Sequence, residues 1–135
     1  MHARDLGKRL WYARIALAII GLLSSVYLSY SAAFDVQVAC PTAGVINCGA
    51  VLNSVYAKTF GIPNGYLGVL FFAAVLALIY LKRAEPLAVL NAIGIGFVIY
   101  FVHAEYVLGS ICVYCTIVHI CTAALLAISL YEISG

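Results

Sequence analysis

Four runs contain no Asp, Glu, Lys or Arg: Ile15 to Phe34, Thr59 to Leu81, Pro86 to Ala104 and Tyr106 to Tyr131. About 20 residues of helix cross the hydrocarbon core of a bilayer, so each run is long enough to span one. Membrane-crossing strands are about 10 residues long and alternate apolar with polar residues, whereas these runs are continuously apolar, which excludes a closed barrel. The 135 residues are 66% hydrophobic and 9% charged, with mean hydropathy +1.12. That balance excludes a water-soluble domain of this size. The expected fold is all-α: a polytopic membrane protein, an antiparallel four-transmembrane-helix bundle forming a single domain over residues 1–135, without a separate soluble catalytic module.

Cations set the orientation. Arg4, Lys8, Arg9 and Arg14 precede the first run, Lys82 and Arg83 lie between the second and third, and only Lys58 falls in the long loop after the first. Six of the seven Lys and Arg thus share one side, which the positive-inside rule makes cytoplasmic. Both termini are then inside, in a cell membrane, and the Asp35–Asn64 loop and the Gly109–Ser110 turn are outside. The net charge of +2 follows from this asymmetry, so nucleic acid is not an expected partner. The first run resembles a secretory signal, but it exceeds the usual 7–15 apolar residues and three more runs follow, so it reads as a retained helix.

Gly21, Ser24, Ser25, Ser29 and Ser31 in the first span, and Gly94 and Gly96 in the third, offer small surfaces for close helix contact. In the outer loop, Pro41, Gly44, Asn47 and Gly49 are turn residues around Cys40 and Cys48. Val51, Leu52, Val55, Tyr56 and Phe60 recur at helical spacing, predicting a short amphipathic cap helix over 50–60 that lies across the outer end. Gly61-Ile62-Pro63-Asn64-Gly65 breaks that helix before the second span. His103 and Glu105, near the outer end of the third span, are expected to contact interfacial water.

The chemistry concentrates in cysteines. Cys112-Val113-Tyr114-Cys115 opens the last span, with its two thiols on one helix face one turn apart. Unpaired N–H groups and the helix dipole favour a thiolate at Cys112, the attacking species in disulfide exchange. The plain alternative is two small apolar core residues. Thr116 stands where c-type haem attachment requires His. Cys40 and Cys48 bracket seven residues of the exported loop. As a static staple that loop would contribute about 2–3 kcal/mol in the chain-entropy estimate; beside an exposed CxxC it can instead shuttle electrons. Cys121 lies deep in the last span and reads as core. His119 falls one turn below Cys115 on the same face, where an ionisable side chain is a functional candidate or an interhelical hydrogen-bonding group. Cys112, Cys115 and His119, with His103, also have the spacing of a metal half-site.

The ordered set Cys40, Cys48, Ser54, Asn64, Cys112 and Cys115 resembles the vitamin K epoxide reductase family, whose microbial members act as counterparts of the disulfide-forming DsbB enzymes. The resemblance covers nearly the whole chain, and Cys40-x7-Cys48 followed by Ser54, then Gly61-Ile62-Pro63-Asn64, is its most specific part. It implies that Cys112 and Cys115 face a membrane quinone of the ubiquinone or menaquinone type, Cys115 nearer the ring. Cys40 would meet an exported thioredoxin-like partner and Cys48 would exchange with Cys112. Asn64 would hydrogen-bond a quinone carbonyl, while Ser54 and Tyr56 shape the cap. Vitamin K-recycling members carry Tyr at the position of His119, whose imidazole can also donate a hydrogen bond. Some relatives carry a fused thioredoxin-like domain; here a separate partner is expected. The implied activity is a quinone-dependent thiol–disulfide oxidoreductase that reoxidises this partner and so supports disulfide formation. A non-enzymatic four-span protein with one stapled loop, and a metal-handling membrane protein, are the competing readings.

Overall fold

The computed structural model describes residues 2–34, 36, 44, 46–52 and 54–134. It is mostly helical: α1 spans His2–Phe34, α2 Cys48–Leu52, α3 Asn64–Tyr80, α4 Ala84–Leu108 and α5 Val113–Ser134. Two short strands, β1 (Lys58–Thr59) and β2 (Ile62–Pro63), pair antiparallel. Three helical segments, Asp5–Phe34, Ala84–Leu108 and Val113–Ile133, are long and apolar enough to cross a membrane. The 17-residue α3 is a shorter apolar helix. Its length, about 26 Å at 1.5 Å per residue, approaches the thickness of a bilayer core.

The long helices run back and forth. Residues 81–83 turn α3 into α4, and 109–112 turn α4 into α5. Gly109 takes a left-handed conformation (φ 66°) at the end of α4, which directs its N–H back to the carbonyls of the last turn. Helix α1 packs on α3 and α5, and α4 packs on α5 and, least closely, on α3.

Small residues bring these helices together. Along α1 the buried positions are Arg14, Ala18, Gly21, Ser25 and Leu28, a 4-3-4-3 spacing that keeps one seam facing its neighbours. A Cβ on Gly21 would collide with the buried ring of Phe72, and one on Gly65 would lie 2.8 Å from the backbone nitrogen of Ser29. Gly21, Ser25 and Ser29 thus serve the close contact expected of them, and so does Gly94, whose added Cβ would lie 2.7 Å from the Phe71 ring. Gly96 meets nothing within 4 Å, so that expectation does not hold for it. Ala18, Phe72, Val75, Ile79, Leu87, Cys121 and Leu125 form the dry core, in the half of the molecule nearer the chain termini. Cys121 is a core residue, as read from sequence. Fully buried Asn91 ties α4 to α5 through Nδ2, which donates to Ser129 Oγ at 2.9 Å. Arg14 and Glu132 close the termini end with an ion pair of 2.9 Å.

The expected cap helix over 50–60 is corrected. Helix α2 starts earlier, at Cys48, and ends at Leu52; a 3₁₀ turn (Val55–Ala57) and the β1–β2 hairpin follow. Ser54 ends the helix because its side chain competes for backbone groups: Oγ donates to the Val51 carbonyl at 2.7 Å and accepts from Tyr56 N–H at 3.3 Å. Phe60 and Gly61 then both take positive φ (55° and 80°), the two-residue turn that suits the twist of a hairpin.

Candidate functional site

The chemistry gathers at the end opposite the termini. Cys112 stands immediately before α5, and its carbonyl accepts the first helical hydrogen bond, from Thr116 N–H at 3.0 Å. It is therefore a helix cap, one position outside the first turn in which the sequence reading put it. The thiol of Cys115 donates to Cys112 Sγ, and the backbone N–H groups of Cys115 and Tyr114 point at the same sulfur. The Cys115 hydrogen bond, aided by these N–H groups and opposed by burial, holds the Cys112 thiol below its ordinary value. Cys112 and Cys115 are both free thiols; Cys112 is wholly buried and Cys115 partly so. Tyr114, between them, stacks edge-on against Tyr27 of α1 at 5.1 Å and so fixes the start of α5 to the first helix.

The loop that carries Cys48 is clamped to this point. Ile46 forms a parallel bridge with Ile111, and Asn47 N–H donates to the Ile111 carbonyl at 2.9 Å. Asn47 Oδ1 accepts from Ala50 N–H at 3.1 Å, capping α2 and seating Cys48 as its first residue. The bridge brings the Cys48 segment alongside the residue that precedes Cys112, so two of the cysteines named from sequence converge. Cys48 is buried and disulfide-bonded. Cys40 lies outside the described residues.

A cavity of about 1200 Å³ opens beneath the loop, between α3 and α4, and Cys48, Ser54, Tyr56, Asn64, Cys115 and His119 all contribute to its wall. Cys115 thus reaches the cavity, while Cys112 sits behind it. Asn64 uses its amide within the lid: Nδ2 donates to the Tyr56 carbonyl at 2.7 Å, and Oδ1 accepts from Thr59 Oγ1 at 2.8 Å. Ser54 shapes the lid through its two backbone bonds rather than through anything in the cavity. Tyr56 packs edge-on to Tyr100 of α4 at 6.3 Å, joining lid to wall. His119 is buried and lies nearly parallel to the ring of Phe101, 15° between planes and 6.3 Å between centroids.

Glu105 overturns its expected place at the interface. It is buried, 8% exposed, and lines the cavity, whereas His103 two residues earlier is exposed as anticipated. The Glu105 carboxylate accepts the backbone N–H of Cys112, and its Oε1 lies 3.8 Å from His119 Nδ1. That Oε1 has no hydrogen-bond partner among the described residues. A sequence signal existed: Glu105 is the only charged residue between Pro86 and Tyr131. An ionisable group interrupting so long an apolar stretch is a functional candidate by default.

Among the described residues, no group of three or more His, Cys, Asp or Glu is arranged to hold a metal ion. The donor set therefore gives no support to a metal half-site built from Cys112, Cys115, His119 and His103. A dithiol whose one sulfur is activated at a helix cap and whose other borders an apolar cavity is suited to moving electrons between proteins and a small hydrophobic molecule. No individual curated protein matches the chain. The family model described as the vitamin K epoxide reductase family matches residues 12–130, from the first turns of α1 almost to the end of α5. Cysteines, apolar helices and family match agree, and the chain belongs to the vitamin K epoxide reductase family, whose members are membrane thiol–disulfide oxidoreductases.

Proposed function

We propose that this protein oxidises an exported thioredoxin-like dithiol protein and passes the electrons to a membrane quinone. The observation that carries this reading is the Ile46–Ile111 bridge, which holds the bonded Cys48 segment beside Cys112 while Cys115 borders the cavity. Two relay steps follow from that order. In this reading Cys40 is the partner of the bonded Cys48, and the two thiols of the thioredoxin-like protein reduce that disulfide, leaving that protein oxidised. The loop dithiol then reduces the Cys112–Cys115 disulfide by thiolate attack of Cys48 on Cys112, and the loop bond re-forms.

The quinone is the substrate that takes these two electrons from Cys115 and Cys112. The cavity fits a planar apolar ring, with Phe97 and Phe101 in its wall and His119 and Asn64 as polar contacts. One Nδ2 hydrogen of Asn64 remains for a carbonyl oxygen after the bond to Tyr56. Four membrane-crossing helices, α1, α3, α4 and α5, form one antiparallel bundle in this reading, with both termini cytoplasmic by the distribution of Lys and Arg. The α2–hairpin segment covers its exported end. A non-catalytic stapled protein would account for the loop disulfide, but it gives no role to the Cys115–Cys112 hydrogen bond or to the cavity beside it.

The test is quinol formation by the purified protein in detergent, given a reduced thioredoxin-like substrate and short-chain ubiquinone and menaquinone analogues in parallel. Cys112→Ala and Cys115→Ala should each abolish turnover, and Cys48→Ala should accumulate a mixed disulfide between Cys40 and the partner. Undiminished quinol formation in both inner-pair variants would end the proposal.

A further inference from the structure

Oxidising a dithiol releases two protons as well as two electrons, and a quinone needs both protons to become a quinol. The inner pair is badly placed to use bulk water for this. Cys112 is fully buried, and the Cys48 segment packs over the start of α5. Some group beside the sulfurs has to hold protons between donor and acceptor. Of the five acidic residues in the chain, Asp5 and Glu132 lie at the termini end and Glu85 in the first turn of α4 beside it; Asp35 lies outside the described residues. Glu105 remains. It bonds the backbone of Cys112, lines the cavity, keeps one oxygen unpartnered, and has an imidazole nitrogen 3.8 Å from that oxygen.

We infer that Glu105 is the proton carrier of this site, with His119 as its second station. The inference rests on the quinone reading above. The balance is as follows. The Cys112 and Cys115 S–H bonds break, the S–S bond forms, and two electrons pass to the quinone in the cavity. The first thiol proton moves to the Glu105 carboxylate and from there to His119. The second then occupies the carboxylate. Both are delivered to the two quinone oxygens, leaving carboxylate and imidazole as they began. A buried carboxylate with a free oxygen costs stability, and a purely structural role would be served as well by an amide. Glutamine keeps the acceptor for Cys112 N–H but cannot carry a proton, which makes the inference separable from packing.

The experiment uses the full-length protein in detergent with dithiothreitol as electron donor and a short-chain quinone as acceptor. Glu105→Gln should lower quinol formation about 100-fold, at the low end of what general acid–base groups contribute, with quinone affinity and thermal unfolding unchanged. Glu105→Ala should regain turnover on addition of formate, which a lost packing contact would not allow. A readout without quinone is infrared difference spectroscopy across diamide oxidation of the inner pair. A carboxyl band should change in the wild type and be missing in Glu105→Gln. The inference is overturned by Glu105→Gln turnover within twofold of wild type, by Glu105→Ala indifferent to formate, or by the same carboxyl band in both proteins. Wild-type protein that reduces no quinone, yet shows the carboxyl band, would defeat the quinone reading and with it delivery to an acceptor. Wild-type protein that reduces quinone but shows no carboxyl band would defeat only the role of Glu105.

Discussion

Asn64 is where the lid is fastened, and its loss should be measurable at one peptide bond. Two side-chain hydrogen bonds converge on it: Nδ2 to the Tyr56 carbonyl at 2.7 Å and Thr59 Oγ1 to Oδ1 at 2.8 Å. A neutral hydrogen bond contributes about 1 kcal/mol net, so Asn64→Ala should weaken the hairpin by about 2 kcal/mol. With tenfold for each 1.4 kcal/mol, the opened population rises about 30-fold. Lys58, exposed in β1, is the only Lys or Arg between Arg14 and Lys82, so trypsin reports on this segment at a single site. Cleavage tracks the opened population when closing is fast relative to cutting, and the rate at Lys58 should rise in proportion. Thr59→Val removes one of the two bonds and should raise it about fivefold. The double variant should fall short of the product of the single effects, because both changes delete the same Thr59–Asn64 bond. Cleavage of Asn64→Ala within twofold of wild type would refute the role of Asn64 as the fastening and leave carbonyl recognition as its main use.

Iodoacetamide labelling of Cys112 against pH, in protein carrying Cys115 and Cys121 in separate alanine backgrounds, tests its lowered pKa. The thiolate persists to lower pH than in an ordinary thiol of 9.0, and Cys115→Ala, by deleting the hydrogen bond that Cys115 donates to Cys112 Sγ, should move the profile up in pH whereas Cys121→Ala should not. Gly21→Ala would drive a Cβ into the Phe72 ring and should cost about 1–3 kcal/mol by thermal unfolding in detergent. Gly96→Ala meets nothing within 4 Å and should be neutral or stabilise by up to about 1 kcal/mol. Glu132→Leu strands the buried Arg14 guanidinium and should destabilise by about 3 kcal/mol, near the low end for broken buried pairs because Glu132 is 26% exposed. Arg14→Leu/Glu132→Leu should recover most of that loss in the same unfolding assay.

The sequence carried the helices clearly and their inward faces poorly. Runs free of charge mark the spans because water and lipid separate charged from apolar residues over tens of ångströms. Within a run, lipid and protein interior are equally apolar, so hydrophobic periodicity does not point inward. What pointed inward was size: Gly21, Ser25 and Gly94 are buried where neighbours approach, while Ile20, Leu23 and Val26 on the same helix as Gly21 are exposed. The lid was misjudged for a different reason. Apolar spacing from Val51 to Phe60 fits a helix, but Ser54 and Asn64 bind backbone groups that a helix would need. Side-chain competition of this kind is specific to partners, and Asn64 lies outside the window whose period was counted. Glu105 was missed because its burial comes from the start of α5 and the loop docked over it, contacts made only by folding.

Position along α4 explains why the site lies where it does. Its buried residues Leu87, Ala88, Asn91 and Gly94 keep the helix against its neighbours, and then none is buried until Ala104 and Glu105. Across that interval α4 stands off from α3, and the space between them is the cavity. Leu70 of α3 and Ile93 and Phe97 of α4 border it while also exposed on the outer surface, so its rim turns sideways, toward the region that lipid would occupy. A water-soluble oxidant would have to cross that apolar rim, whereas a molecule dissolved in the bilayer would already be beside it. The polar groups Asn64, Glu105 and His119 line the same cavity as Cys115. Under the reading proposed above, the same standing-off of one helix would serve two properties at once: a side entrance for an apolar acceptor, and an apolar surround for the carboxylate and the Cys115 thiol that border the cavity.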